Sequence, residues 1–129
     1  MANANEDLVK KGYGLFTKGD MDTLRTLFAD DFVHHTPGKS QIAGDHKGPD
    51  AAIALYGKLF ELSGGTFAVD LKSTKSDGDT VAATHHATAE REGKKLDQDV
   101  VLTFTIKGDK MARIDEAPGD QAAFDDFWG

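Results

Sequence analysis

The periodicity of this chain changes near residue 65, and that change constrains the fold more than any other feature. Before it, apolar residues recur at helical spacing. Leu8, Val9, Tyr13 and Phe16 mark a first helix over residues 5–17, capped by Asn3 or Asn5, with Glu6 and Asp7 at its positive end. Asp20 caps a second helix carrying Met21, Leu24, Leu27 and Phe28 on one face, and Asp30-Asp31 stops it before a strand at Phe32-Val33. Residues 37–48 read as a polar loop. Pro49, at a first helical position where its missing N–H costs nothing, opens a third helix with Ala52, Ile53, Tyr56, Leu59 and Phe60 as its buried stripe. Gly64-Gly65 closes it.

After Gly65 the period is two. Phe67-Val69-Leu71, Val81-Ala83-His85-Ala87-Ala89, Val100-Leu102-Phe104-Ile106 and the stretch from Met111 to Ala117 alternate between two faces. Turn residues separate them at 76–79, 92–94 and 107–109. A short helix over 120–128 ends the chain. Helices followed by successive hairpin-connected strands specify an α+β architecture, and 129 residues suffice for one domain spanning the whole chain, 1–129.

Charge narrows the function classes. Fifteen Lys and Arg against 22 Asp and Glu give a formal charge of −7 without a basic stripe, so no nucleic-acid partner is expected. No cysteine is present to supply disulfides or thiolate metal sites. No stretch approaches the roughly 18 apolar residues of a membrane span, and residues 1–10 lack the apolar segment of a signal peptide. The expectation is a cytoplasmic protein with no membrane partner.

Three stretches carry a resemblance. Gly19-Asp20 followed by Leu24 and by Leu27-Phe28-Ala29-Asp30-Asp31-Phe32, then His34-His35 and Pro37, resembles the opening of the SnoaL-like branch of the nuclear transport factor two-like superfamily. Residues 46–62 and 113–129 resemble later parts of the same pattern. That superfamily includes ketosteroid isomerases, scytalone dehydratase, limonene epoxide hydrolase, polyketide cyclases and binding members. The resemblance implies a cone-shaped, curved antiparallel sheet closed by three helices of the N-terminal half, a cystatin-like α+β barrel with an apolar pocket at its mouth. It also implies a small apolar ligand, chemistry without a cofactor, and a homodimer paired through the outer sheet face, where Val101, Thr103 and Thr105 are uncharged.

Candidate site residues follow from parity and from the resemblance. Adjacent strand residues face opposite sides, so one of each histidine pair turns inward. Parity with Val81, Ala83 and Ala87 selects His85 over His86. Phe32 and Val33 are both apolar and leave the first pair open; the resemblance to polyketide cyclases, which carry a histidine two residues before this proline, selects His35. Glu116 shares parity with Ile114, and a carboxylate in an apolar cavity suits general acid–base work near neutral pH. Asp120 falls where the cyclases keep a catalytic Asp, and it also suits the cap of the terminal helix. Asp120, Glu116 and His35 are thus the catalytic candidates, and Tyr13, Tyr56, His85 and Phe104 the ligand-binding ones. A metal site from His35, His85 and a carboxylate lacks a local spacing motif, and no metal is expected. Ketosteroid isomerase activity is disfavoured. The base of those enzymes falls on Thr36, and their oxyanion-hole tyrosine on Gly12, one residue and about 100° of helix from Tyr13.

Overall fold

The computed structural model describes residues 4–129. Its elements in order are α1 (Ala4–Lys18), α2 (Met21–Arg25), β1 (Phe28–Thr36), β2 (Gly44–Lys47), α3 (Pro49–Leu62), β3 (Ala68–Asp77), β4 (Thr80–Arg91), β5 (Lys94–Lys107), β6 (Lys110–Pro118) and α4 (Gln121–Trp128). One six-stranded curved sheet runs β2-β1-β6-β5-β4-β3. Every adjacent pair is antiparallel except β1 with β6, which is parallel because the helix-rich first half of the chain returns to the sheet edge left by the last strand. The fold is the α+β cone. Asn3, one of the two caps expected for α1, lies outside the described residues.

The helices cover the concave face. Val9 and Leu15 of α1, Leu24 of α2 and Ala52, Leu55 and Leu59 of α3 pack over Val81, Ala83, Ala87, Val100, Phe104 and Ile114 from the strands. Gly12 permits the close approach of α1 to β6. A Cβ there would sit 2.9 Å from the Met111 side-chain terminus and 3.7 Å from Leu24. After α1 the chain turns through Gly19 at φ +76°, and Gly19 and Asp20 return hydrogen bonds to the Phe16 and Leu15 carbonyls. Among the described residues no helix is long and apolar enough to cross a membrane.

Two expected elements differ. The second helix ends at Arg25, not at Asp30-Asp31. The Thr26 hydroxyl donates back to the Thr23 carbonyl at 2.6 Å, and the Leu27 carbonyl is taken by the Met111 N–H of β6 at 2.8 Å. Strand pairing therefore claims Phe28, and the two aspartates lie exposed within β1. The expected loop over 37–48 also contains β2, recruited by pairing with β1 from Val33↔Lys47 to Thr36↔Gly44. Ile42, 2% exposed, pins that segment to the core.

Candidate active site

A cavity of about 80 Å³ lies inside the cone, between α1, α3, the sheet and α4. Its wall is mainly aromatic and aliphatic, with Phe16, Phe28, Phe67, Phe104, Leu59 and Trp128 among its residues. Five polar side chains enter this apolar lining: Tyr13, His34, Tyr56, His85 and Glu116, joined by the Thr36 hydroxyl. Its volume is below the roughly 300–1,000 Å³ of pockets for drug-sized ligands.

The polar side chains form two sets. In the first, His34 is 4% exposed; its Nδ1 lies 2.9 Å from the Tyr56 hydroxyl and its Nε2 lies 3.1 Å from Glu116 Oε1. The Thr36 hydroxyl donates to the same Oε1 at 3.2 Å. A carboxylate only accepts, so the His34 Nε2–H donates to it. In the tautomer with its one proton on Nε2, Nδ1 accepts from the Tyr56 hydroxyl. Donation runs from Tyr56 through His34 to Glu116, with both hydrogen bonds on Oε1. Oε2 accepts none from the described residues. In the second set the Tyr13 hydroxyl lies 2.6 Å from His85 Nδ1.

Burial sets the protonation of these groups. Removal from water, reinforced by the Glu116 charge, pushes both the Tyr13 and Tyr56 phenols far above their ordinary range, so both keep their protons. Burial lowers the His85 pKa to about 4 despite the opposing pull of Glu116 and Asp99, so its ring is neutral at pH 7. The Trp128 indole N–H is buried without an acceptor, alone in this among the described buried side-chain polar atoms. Among the described residues no three His, Asp or Glu side chains gather where one metal ion could be held.

Strand parity explains which candidates meet. Phe32, His34 and Thr36 are the buried series of β1, and Ile114 and Glu116 face the same way on β6, with His34 paired to Ile114. His85 points inward with Val81, Ala83 and Ala87, as parity requires. Glu116, His85, Tyr13, Tyr56 and Phe104 all line the cavity. His35 does not: it turns to the outer face, 40% exposed, with Nδ1 2.5 Å from Asp45 Oδ1. The inward histidine is His34: Phe28, Phe32, His34 and Thr36 are the buried positions of β1, and Val33 and His35 fall on the opposite parity. Asp120 also lies outside the cavity. It is exposed at the start of α4, where its carboxylate accepts from the Ala123 N–H at 3.1 Å. The cavity-lining polar residues that sequence reasoning missed are His34 and Thr36. Their signal was the alternation Phe32-His34-Thr36, obscured by Val33.

Comparison with known proteins places this geometry in a lineage. Residues 9–114 match the family model of the SnoaL-like domain. An uncharacterized protein of Mycobacterium tuberculosis is 35% identical over 127 residues, 98% of this chain and 97% of the relative. The solved structure of Bal32a, from a soil-derived mobile gene cassette, superposes with a TM-score of 0.94 at 40% identity, covering 98% of this chain and 97% of that one. A protein of unknown function with a cystatin-like fold from Xanthomonas campestris gives a TM-score of 0.91 at 31% identity, covering 97% and 98%.

Proposed function

This chain belongs to the SnoaL-like family, and on that premise we propose that it binds a small apolar carbonyl compound in the cavity and moves a proton on it by general acid–base catalysis. The reaction type is cyclase, isomerase or hydrolase, without a cofactor. The observation that carries this reading is the Glu116 carboxylate. Two donors fix its Oε1 at the cavity wall, and its Oε2 accepts nothing from the described residues. Oε2 is the base, taking a proton from carbon or from a bound hydroxyl. His34, held by Tyr56, stabilises the carboxylate and fixes its orientation. The Tyr13 hydroxyl, still protonated and paired with His85, is the donor to an oxygen that gains charge. Phe104 and the other rings supply the apolar contact. A homodimer in the cytoplasm, paired through the half-buried outer residues Val101, Thr103 and Thr105, belongs to the same reading; sedimentation as a concentration-independent monomer would remove it.

Proton transfer can be tested before the natural substrate is known. Cyclohexanone and acetophenone are incubated with the protein in deuterium oxide, and loss of the α-proton signal is followed by NMR. Exchange above the buffer rate is expected, falling by about 10²-fold or more in Glu116→Gln. An undiminished rate in that variant removes Glu116 from the role. One observation favours a second reading, a ligand-binding protein without catalysis: the cavity, at about 80 Å³, is small. Its signature is ketone binding, read from the fluorescence of the sole tryptophan, Trp128, with exchange no faster than buffer.

A further inference from the structure

The cavity is electrostatically one-sided. Among the described residues Glu116 is the one acidic side chain in its wall, and no Lys or Arg joins it. Its negative charge acts on Tyr13, Tyr56 and His85, so it reaches both polar sets. Burial holds His85 neutral, and the hydrogen bonds from His34 and Thr36 leave Oε2 without a partner among the described residues. The basic residue next along β6, Arg113, faces the other side of the sheet and is tied to Asp115 by contacts of 3.0 and 2.9 Å. The wall also presents aromatic rings, Tyr13 and Tyr56 among the polar groups and Phe16 set edge-on against Tyr56 with centroids 5.6 Å apart.

Resting on the reading that this cavity is a small-molecule site, we propose that Glu116 makes it a charge filter: it admits compact, one-ring compounds that are neutral or carry one positive charge, and it turns anions away. An anionic group beside the carboxylate meets a like charge where little water can screen it. An ammonium gains Oε2 as a partner and ring faces around it. A neutral alcohol or ketone uses the Oε2 acceptor or the tyrosine hydroxyl at no charge cost. Size follows from the volume: about 80 Å³, less than the roughly 150 Å³ of an apolar cavity that binds benzene, holds one ring at most, and a second ring requires displacement of the packed wall, which α4 closes with Phe124 and Trp128.

The test is a matched series read by Trp128 fluorescence at pH 7.5: benzyl alcohol, benzylamine, benzoate and 2-naphthylmethanol. In the wild type, benzylamine and benzyl alcohol are expected to bind at least about 100-fold more tightly than benzoate, a ratio that a like-charge contact at an effective dielectric near 20 readily supplies. Binding of 2-naphthylmethanol is expected to be at least about tenfold weaker than that of benzyl alcohol. In Glu116→Gln the order by charge collapses, with benzoate gaining and benzylamine losing about tenfold or more relative to benzyl alcohol. Benzoate binding within about threefold of benzyl alcohol in the wild type overturns the proposal, and so does tight binding of the naphthyl compound. The wild-type series alone decides this if the variant does not fold. Ketone binding without a charge order defeats the filter alone; no binding by any of these compounds or the ketones defeats the small-molecule reading beneath it.

Discussion

His85 couples the stability of the fold to pH, and the size of that coupling follows from its position. The ring is 5% exposed, with Nδ1 held by the Tyr13 hydroxyl. In the unfolded chain it titrates near 6.5; folded, burial lowers that to about 4. Between these values the unfolded state binds a proton that the folded state refuses. The contribution of the neutral ring is therefore complete above pH 6.5 and drains away as the pH falls toward 4. At ~1.4 kcal/mol per pKa unit, the gap is worth about 3 kcal/mol, a large share of the ~5–15 kcal/mol that holds a domain together. The groups that act on this ring are Glu116 from β6 and Asp99 from β5, which favour the charged form, and His86 beside it, which opposes it. Urea unfolding of the wild type and His85→Gln, from pH 7.5 to 4.5, isolates the effect. Glutamine, which can donate or accept, keeps a hydrogen-bond partner for Tyr13 but takes up no proton. Exposed carboxylates with lowered pKa values that do not act on this ring, such as Asp45 and Asp50, weaken both proteins in acid and cancel in the difference. The stability of the wild type relative to the variant should fall by about 2–3 kcal/mol across that range. Parallel stability curves for the two proteins would show that the ring is not held neutral and would refute the reasoning.

Tyr56→Phe removes the donor to His34 Nδ1 and leaves that nitrogen buried and unpaired. The expected loss is about 1–3 kcal/mol in urea unfolding, accompanied by slower α-proton exchange with the ketone probes. Asp120→Ala deletes the cap of α4 and should cost about 1 kcal/mol in thermal or urea unfolding. Exchange catalysis should be unchanged in that variant; a large fall in rate would restore Asp120 as a catalytic candidate.

The residues legible in the sequence were those whose orientation is fixed by their own strand. His85 lies within an alternation that runs through Val81, Ala83 and Ala87, and its inward direction needs no knowledge of the neighbouring strand. Glu116 follows Ile114 in the same way. His34 could not be read so, because Phe32 and Val33 are equally apolar and the residue that fixes their parity, the buried Phe28 at the start of β1, reads from sequence as part of the preceding helix. β2 was hidden for a related reason. Gly44–Lys47 has no apolar pattern, and its extended form comes from hydrogen bonding to β1. Tyr13 shows the limit of helical-wheel reasoning. It stands about 100° around α1 from Gly12, yet a long phenol side chain covers that offset and its hydroxyl reaches His85.

Thr36 links the two kinds of information. By resemblance, the residue before Pro37 is where an isomerase carries its carboxylate base, and a threonine there argued against that chemistry. The structure gives the threonine a different task. Its hydroxyl donates to Oε1 of Glu116, a carboxylate supplied by β6, the parallel neighbour of β1. His34, two residues earlier on the same face, donates to the same oxygen. Donors from the neighbouring strand hold one oxygen of Glu116, and its other oxygen accepts nothing from the described residues. The acidic group and its orientation are thus divided between strands 80 residues apart in sequence. No local motif encodes that division, and the pairing of β1 with β6 creates it.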